Sequence, residues 1–365
     1  MAAILEEFQQ LFTESPGLKL LVVRKVDALA GDASNRNYYR VTATEPGSGK
    51  VRSFIFLRYG SAKGPAFKQP VNVSQEQALR QLSRFFAERG LPVPRLYLHD
   101  EISRSFVFED CGDLSLATLA SGHQSAVVDS LNDRFGPDWV ERLFERAVDL
   151  VSSLQSLPPD VNCVAFLRWL EFENYRAEAQ EFIEFLAEPR GLTKSSQAVL
   201  KKQFDALSET IMSFPKRLSH FDFHGHNILV RDDGALVMID YQDACLMSPT
   251  RDIVSLLNDR GMDEVLGSSR HARLLAYAKE KLPELKGFEH CYHMTLLHWD
   301  FRVSGRFLKL CKTKNTERYL QWVPGTLRRL GRTLAASHQE LHGMSDVLEI
   351  LQRLLPEFKD GMAGL

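Results

Sequence analysis

This chain of 365 residues lacks most of the features that mark secreted or membrane proteins. Its five cysteines are odd in number and widely spaced, and no Cys-x-x-Cys pair occurs, which argues against a disulfide framework or a zinc ribbon. The first residues lack the basic stretch and apolar run of a signal peptide, and no apolar run approaches the length of a membrane span. We therefore expect a cytoplasmic protein that makes no use of a membrane.

The chain also lacks a strong excess of charge of either sign. Its 45 basic and 47 acidic residues give a formal net charge of −2, so no basic field for nucleic acid is expected. No internal repeat or low-complexity tract occurs. A hydrophobic content of 44% is ordinary for a globular protein, and the length suffices for a bilobal unit with a large core.

The segment 220–243 carries the clearest structural signal. Two short apolar runs, 228–230 and 236–239, flank the dipeptide Asp233-Gly234. Asp-Gly between two apolar runs predicts a β-hairpin, because both residues of the tight turn need a positive φ. If this dipeptide forms the two-residue loop, residue 227 pairs with residue 240, and opposed side chains lie close together.

This hairpin would bring three functional side chains to its open end: Asn227 and Asp240 on the two strands, and Asp222 in the loop before them. Oxygen ligands of this kind suit Mg²⁺, a hard cation that shares its shell with substrate phosphates. Phosphoryl transfer also needs a carboxylate that orients or deprotonates the attacking hydroxyl. We predict that Asp222 is the catalytic base and that Asn227 and Asp240 are metal ligands; alternatively, the two aspartates only cap turns.

Two other groups near this segment admit two interpretations each. His220, His224 and His226 suggest either a zinc or di-metal hydrolase or, for His220, a buried and hydrogen-bonded loop anchor. Asp252 is either an ordinary acid in the first turn of a helix or a buried acceptor that braces the catalytic loop.

A short loop between two predicted strands is a candidate for binding nucleotide phosphates. A glycine there allows close approach, Ser34 can donate its hydroxyl, and exposed N–H groups can face an anion. A plain surface turn is the alternative. The candidate residues of this loop are Gly31, Asp32, Ala33, Ser34 and Asn35.

Three charged residues of the N-terminal part are further candidates for nucleotide binding. Arg58, the only cation of the predicted strand 53–59, could bind phosphate with Glu76 of the next helix as its partner, or it could be a solvated edge charge. The strand that ends at Glu109 lies where the two halves of the chain join, and its backbone could contact an adenine edge in an apolar slot.

The pattern of apolar residues divides the chain into two parts. The first hundred residues carry several strand candidates and one helix, Gln75–Arg89, whereas the remainder is dominated by helical spacing. We predict an α+β bilobal fold with a β-rich N-lobe at 1–110 and a mainly helical C-lobe at 111–365. Six glutamates within 171–188 form either a solvated helix face or a surface for a cationic or polyhydroxyl substrate.

The segments HFDFHGHN at 220–227 and IDYQDA at 239–244 resemble the aminoglycoside phosphotransferase family, relatives of the protein kinases. The wider chain is similar to the bacterial anomeric sugar kinases, through GDAS at 31–34, GLPVP at 90–94 and FEDCGD at 108–113. The resemblance implies a protein-kinase-like fold with Asp222 as the catalytic aspartate and 31–36 as the phosphate loop. The strand that carries a phosphate-binding lysine in many relatives has only Arg58 here.

The residues and the resemblance together lead to one expected activity. We expect a kinase that uses ATP and Mg²⁺ to phosphorylate a small-molecule sugar, at the anomeric hydroxyl of N-acetylmuramate or N-acetylglucosamine in cell-wall recycling. A kinase for aminoglycosides or choline-like amino alcohols is the first alternative. A nucleotide-binding pseudokinase is the second, and the sequence indicates no oligomeric state.

Overall fold

The structure is a computed structural model, and it describes residues 2–14, 17–29, 36–60, 73–123, 126–282, 285–337 and 341–358. An antiparallel five-stranded sheet and two helices make up its first part, with strand order β1-β2-β3-β5-β4. Their bounds are α1 Ala2–Thr13, β1 Val22–Leu29, β2 Arg36–Thr44, β3 Val51–Tyr59, α2 Gln75–Glu88, β4 Leu96–Asp100 and β5 Ser105–Glu109.

Helices dominate the rest of the chain, which also holds two small two-stranded sheets, β6–β9 and β7–β8. The helices are α3 Leu116–Ala120, α4 Ala126–Phe135, α5 Trp139–Gln155, α6 Phe172–Phe182, α7 Lys194–Ser213, α8 Arg251–Asn258, α9 Met262–Lys281, α10 Phe288–Lys314, α11 Val323–Ser337 and α12 Met344–Leu354. The strands are β6 Arg217–Ser219, β7 Ile228–Val230, β8 Leu236–Met238 and β9 Cys245–Met247. The predicted α+β bilobal architecture is confirmed.

The two faces of the N-terminal sheet have different partners. Its outer face packs against α1, where Phe8 and Phe12 meet Phe54 and Phe56 edge-on in a small separate core. Its inner face packs against α2 and joins the main core of the molecule, for example through Leu57. Since side chains alternate along a strand, each residue of β3 is committed to one of these two environments.

Local sequence signals account for several element boundaries. Ser74 caps α2, the helix predicted from Gln75, and it forms a capping box in which its hydroxyl accepts from the N–H of Gln77. The helix α1, in contrast, was not among the sequence-based predictions. The helical spacing predicts one helix over Phe166–Ala187. The structure instead has a 3-10 turn at Val164–Leu167 before α6, and a π turn, Ile183–Ala187, that continues α6.

The long helix α10 lies at the centre of the helical part and packs against α6, α7, α8 and α11. Its contact with α6 is exceptionally close at Gly305. A Cβ added there would lie 2.4 Å from the carbonyl carbon of Glu181 and from the amide nitrogen of Phe182. The two helix backbones therefore touch at a position that only glycine allows. Among the described residues, no helix is long and apolar enough to span a membrane.

We predict that Gly305→Ala destabilises the protein, because the added methyl group can only be accommodated if α10 moves away from α6. Overpacking of a dense core costs about 1–3 kcal/mol of unfolding free energy. Urea denaturation followed by circular dichroism measures this change. Gly17→Ala is the control, since a Cβ at Gly17 meets no atom within 4 Å, and a change within about 0.5 kcal/mol is expected there. Equal stabilities of the two variants would refute the tight helix contact.

Candidate active site

The predicted hairpin exists, but its register differs from the prediction by one residue. Ile228 pairs with Met238, and the ladder continues inward to a hydrogen bond of 2.9 Å from the N–H of Arg231 to the carbonyl of Ala235. The loop therefore has three residues rather than two. The physical reason is that Gly234 alone adopts a positive φ, of 74°, whereas the predicted turn needs one at both central residues.

Because of this register, Asn227 lies opposite Ile239 rather than Asp240, and the N–H of Ile239 donates to its carbonyl at 3.0 Å. Asp240 follows directly in a left-handed conformation with φ of 64°. The chain thus turns away from the ladder at Asp240. The amide and the carboxylate still occupy the same open end of the hairpin, as neighbours across a bend instead of a directly opposed pair.

Asp222 lies in the loop between β6 and β7, and two contacts set the position of this loop. The side chain of Asn227 donates through Nδ2 to the carbonyl of Asp222 at 2.9 Å. Asp252 at the start of α8 accepts from the Ser219 hydroxyl at 2.7 Å and from the N–H of His220 at 2.8 Å. Asp252 is fully buried, so the interpretation as a buried brace of the catalytic loop is the one that the structure supports.

The surroundings of Asp222 favour its ionised form. Burial by itself would raise the pKa of this carboxyl, but protonated His224 and the guanidinium groups of Arg302, Arg260 and Arg251 outweigh burial and lower the pKa to about 2. The side chain remains 38% exposed. Asp222 is therefore a permanently charged carboxylate that solvent, and hence a substrate hydroxyl, can reach.

The three histidines of this loop do not form a metal site. Within the described residues, no group of three or more His, Cys, Asp or Glu side chains is arranged to hold a metal ion. His220 is buried and its Nε2 lies 2.9 Å from the carbonyl of Ile239. The zinc-hydrolase interpretation is therefore wrong for these residues, and His220 is the loop anchor that the other interpretation described.

The oxygen atoms of Asn227 and Asp240 are better suited to a divalent cation than the three histidines are. With Nδ2 of Asn227 engaged by the Asp222 carbonyl, the amide is oriented so that its Oδ1 is the remaining oxygen donor. Asp240 supplies a carboxylate at the same end of the hairpin. One amide oxygen and one carboxylate, with room for water and phosphate oxygens, is a donor set that suits Mg²⁺.

Asp240 is also the point where the two lobes are joined. Its Oδ1 accepts from Nη1 of Arg36 at 2.7 Å, and from Nε2 of Gln242 at 3.2 Å. Nearby, Gln75 of α2 donates to both oxygens of Asp243 at 3.0 Å. The N-terminal sheet and its helix are thus held at the end of the hairpin that carries Asn227 and Asp240.

On the nucleotide side, the predicted phosphate-loop residues Gly31, Asp32, Ala33, Ser34 and Asn35 lie outside the described residues. Arg58, in contrast, is described, and its predicted role is not supported. It lies on the outer face of the sheet, 5.3 Å from the centre of the Phe56 ring, and its guanidinium pairs with Glu7 of α1. Arg58 points away from the cleft because it alternates with the inward residues Leu57 and Tyr59.

Glu76, predicted to pair with Arg58, and Glu109, whose backbone was predicted to contact adenine, both bind other residues of the protein. Glu76 accepts from Nε of Arg104 at 2.7 Å and lies 3.3 Å from Nε2 of His99, so the expected pair with Arg58 is absent. Glu109 ends β5, its N–H donates to the carbonyl of Arg95, and its carboxylate accepts from Arg231 of the hairpin at 2.7 Å. Its N–H is therefore engaged within the protein.

The cations that do face the cleft were missed by the sequence analysis. Arg36 and Arg40 lie on the inner face of β2, opposite Tyr59 and Ile55 of β3. Arg40 is held by Asp110 and Asp113 through hydrogen bonds of 2.6–3.1 Å. The turn-forming residues at 45–50 indicate a hairpin, and side-chain alternation along its first strand is the sequence signal that could have identified both arginines.

The acidic segment 171–188 separates into two groups. Glu173, Glu184 and Glu188 are exposed, as expected for a solvated helix face. Glu178 instead pairs with Arg302 at 2.9 Å, and Glu181 pairs with Arg306 and Lys309 at 2.6 and 2.9 Å. The inward acids are therefore neutralised by basic residues of α10.

Comparisons with known proteins agree with this geometry. The sequence profile of the family described as "Phosphotransferase enzyme family" matches residues 25–288. The N-acetylmuramate/N-acetylglucosamine kinase of Caulobacter vibrioides is 25% identical over 328 residues, which cover 82% of this chain and 84% of that protein.

Solved structures resemble the fold at low sequence identity. The choline kinase LicA from Streptococcus pneumoniae aligns with a TM-score of 0.56 and 15% identity over 92% of this chain and 98% of its own. The ADP-bound aminoglycoside phosphotransferase APH(2″)-Ib aligns with a TM-score of 0.54 and 14% identity over 89% and 96% of the two chains. These similarities confirm the protein-kinase-like fold.

We predict that the protein loses stability as the pH falls from about 6.5 to about 4. Burial lowers the pKa of His224 and of His298 to about 4, so in this window the unfolded chain binds protons that the folded protein does not. The loss approaches about 3 kcal/mol for each histidine. Urea unfolding at several pH values measures it. His224→Gln should flatten the profile, whereas His123→Gln in an exposed turn should not; a flat wild-type profile would contradict the prediction.

Proposed function

The chain belongs to the phosphotransferase enzyme family, and from that premise we propose that it is an ATP- and Mg²⁺-dependent kinase that phosphorylates the anomeric hydroxyl of an N-acetylated amino sugar. It is a phosphotransferase with an alcohol group as acceptor. The observation that carries the proposal is the joint placement of Asp222, Asn227 and Asp240, in which Asn227 binds the backbone of Asp222 and shares one end of the hairpin with Asp240.

Each of these residues has a chemical task in the proposed reaction. Asp222, charged and accessible, orients the acceptor hydroxyl toward the γ-phosphoryl group of ATP. It receives the hydroxyl proton as the new oxygen–phosphorus bond forms and the bond from the γ-phosphorus to the departing ADP breaks. Asn227 and Asp240 would hold Mg²⁺, which neutralises charge on the nucleotide phosphates when bound. The inner face of the N-terminal sheet lies over this site and would receive the nucleotide.

The charge balance around Asp222 supports an N-acetylated sugar, which carries no positive charge, over a polycation as the acceptor. Arg302 is paired with Glu178, and Arg260 with Asp259. The positive charge of Arg251 also acts on Asp222 and stabilises its ionised form. A polycationic aminoglycoside needs a surplus of acidic groups, and the inward glutamates that were candidates for this role are already neutralised.

The similarity to the N-acetylmuramate/N-acetylglucosamine kinase supports the same acceptor class. The structural relatives include a choline kinase and an aminoglycoside phosphotransferase. At 14–15% identity these relatives define the fold and not the acceptor. Amino alcohols and aminoglycosides therefore serve as comparison acceptors in the test.

We predict that Asp222→Asn lowers kcat by roughly 10²–10⁴-fold, the scale of a lost general base. The amide keeps the size of the side chain but cannot accept the hydroxyl proton. Turnover is measured by ATP consumption with the best acceptor found. Asp233→Asn in the turn of the same hairpin is the matched control and should retain wild-type turnover. Near wild-type activity of Asp222→Asn would contradict the role assigned to Asp222. If the wild-type protein binds nucleotide but shows no turnover with any acceptor, it is a pseudokinase instead.

We predict that N-acetylmuramate or N-acetylglucosamine is phosphorylated with a higher kcat/KM than any aminoglycoside or choline-like alcohol. An ATP-consumption screen over the three classes ranks them, and ³¹P NMR of the product identifies an anomeric phosphate through its coupling to the C1 proton. A product phosphorylated at another hydroxyl would overturn the assigned position, and a preferred polycation would overturn the acceptor class.

A further inference from the structure

The nucleotide phosphates need a cation from the N-terminal sheet, and β3 does not provide it. Arg58, the only positively charged residue of β3 that comes near the required position, lies on the outer face and pairs with Glu7 of α1. The sheet lies between the outer face, where Arg58 is located, and the cleft between the two lobes. The cation that acts on the phosphates must therefore come from another described strand or from elsewhere in the cleft.

The inner face of β2 carries two arginines, and their environments differ. Arg40 is held by two carboxylates of the lobe junction, Asp110 and Asp113, each of which accepts from it twice. Arg36 instead contacts the opposite lobe, where its Nη1 donates to Oδ1 of Asp240 at 2.7 Å. Of these two arginines, Arg36 is thus the one whose carboxylate partner belongs to the proposed metal site.

The immediate neighbours of Arg36 supply a further polar group on the inner face of the sheet. Tyr59 lies directly opposite Arg36 in the sheet, and its buried hydroxyl has no hydrogen-bond partner among the described residues. The Arg36 side chain is only 12% exposed, and its guanidinium lies 6.0 Å from the centre of the Tyr38 ring. A guanidinium and an unpartnered hydroxyl on paired residues of neighbouring strands are suited to phosphate oxygens.

We propose that Arg36 is the phosphate-binding cation of this protein and that, before nucleotide binds, it occupies the carboxylate that the metal ion needs. This inference rests on the proposed function, in which Asp240 is a metal ligand. The guanidinium and the divalent cation compete for the same Oδ1. Phosphate oxygens draw Arg36 away from Asp240, which then becomes accessible to the metal.

This exchange couples the two ligands. Nucleotide removes the competitor of the metal ion, so each ligand raises the affinity for the other, and the coupling is equal in both directions. The fork geometry of arginine allows the transfer, since one guanidinium can bind a carboxylate or a phosphate through two donors. When nucleotide binds, the Tyr59 hydroxyl can donate a hydrogen bond to a phosphate oxygen.

The test compares Arg36→Gln with wild type in two binding measurements on the full chain. Mn²⁺ binding without nucleotide, followed by electron paramagnetic resonance, should become roughly three- to tenfold tighter, because the ion pair that competes for Asp240 is removed. ADP binding with saturating Mg²⁺, followed by calorimetry, should become roughly 10- to 100-fold weaker, the scale of a lost charge-assisted hydrogen bond. Tighter Mn²⁺ binding together with weaker ADP binding is expected only if the Arg36 guanidinium binds both Asp240 and the nucleotide phosphates.

Arg58→Gln is the matched control, because it removes the same charge from the same sheet on the other face, and both affinities should remain at wild-type values. If Arg36→Gln is unfolded by circular dichroism, Arg36→Lys is measured instead, with tighter Mn²⁺ binding and weaker ADP binding again expected. Unchanged ADP affinity, or weaker Mn²⁺ binding in a folded variant, would overturn the inference while leaving the proposed function intact. A wild-type protein that binds no ADP with Mg²⁺ would overturn the proposed function itself.

Discussion

The geometry of the catalytic loop depends on one buried carboxylate, that of Asp252. Burial raises its pKa, and its hydrogen bonds from Ser219 and from the N–H of His220 make the ionised form tolerable in the interior. These bonds tie the end of β6 to the start of α8. Asp222, two residues further on, is therefore positioned by the packing of the helical lobe and can remain exposed to substrate without becoming mobile.

The chain after β8 connects this fixed loop to the nucleotide-binding sheet. Asp240 binds Arg36 of β2, the Tyr241 hydroxyl lies 2.9 Å from that of Ser83, and Asp243 accepts from Gln75. Three nearly consecutive residues thus hold the N-terminal lobe at the metal-binding end of the hairpin. Alignment of the nucleotide with the acceptor therefore depends on the same few residues that would bind the metal ion.

Whether a feature could be predicted from the sequence depends on how far apart along the chain the interacting residues lie. The hairpin and the cap at Ser74 are local, so spacing and residue type suffice to predict them. The brace joins Asp252 to Ser219, 33 residues away, so the sequence offered it only as one of two interpretations. The partner of Arg58 could not be predicted, because it depends on how α1 docks against the outer face of the sheet. The predicted register of the β7–β8 hairpin was wrong by one residue, because Asp233 does not adopt the positive φ that the two-residue turn requires.

The electrostatics of Asp222 give a reason for the proposed acceptor that does not depend on similarity. A carboxylate with a pKa of about 2 is a weak base, so it receives a proton only after the bond from the hydroxyl oxygen to phosphorus has largely formed. An anomeric hydroxyl is more acidic than an ordinary alcohol, because the ring oxygen on the same carbon withdraws electrons. It releases its proton to a weak base more readily than the hydroxyl of choline or of most sugar positions. In the proposed reaction, an anomeric hydroxyl would therefore match the weak basicity of Asp222 better than an ordinary alcohol would.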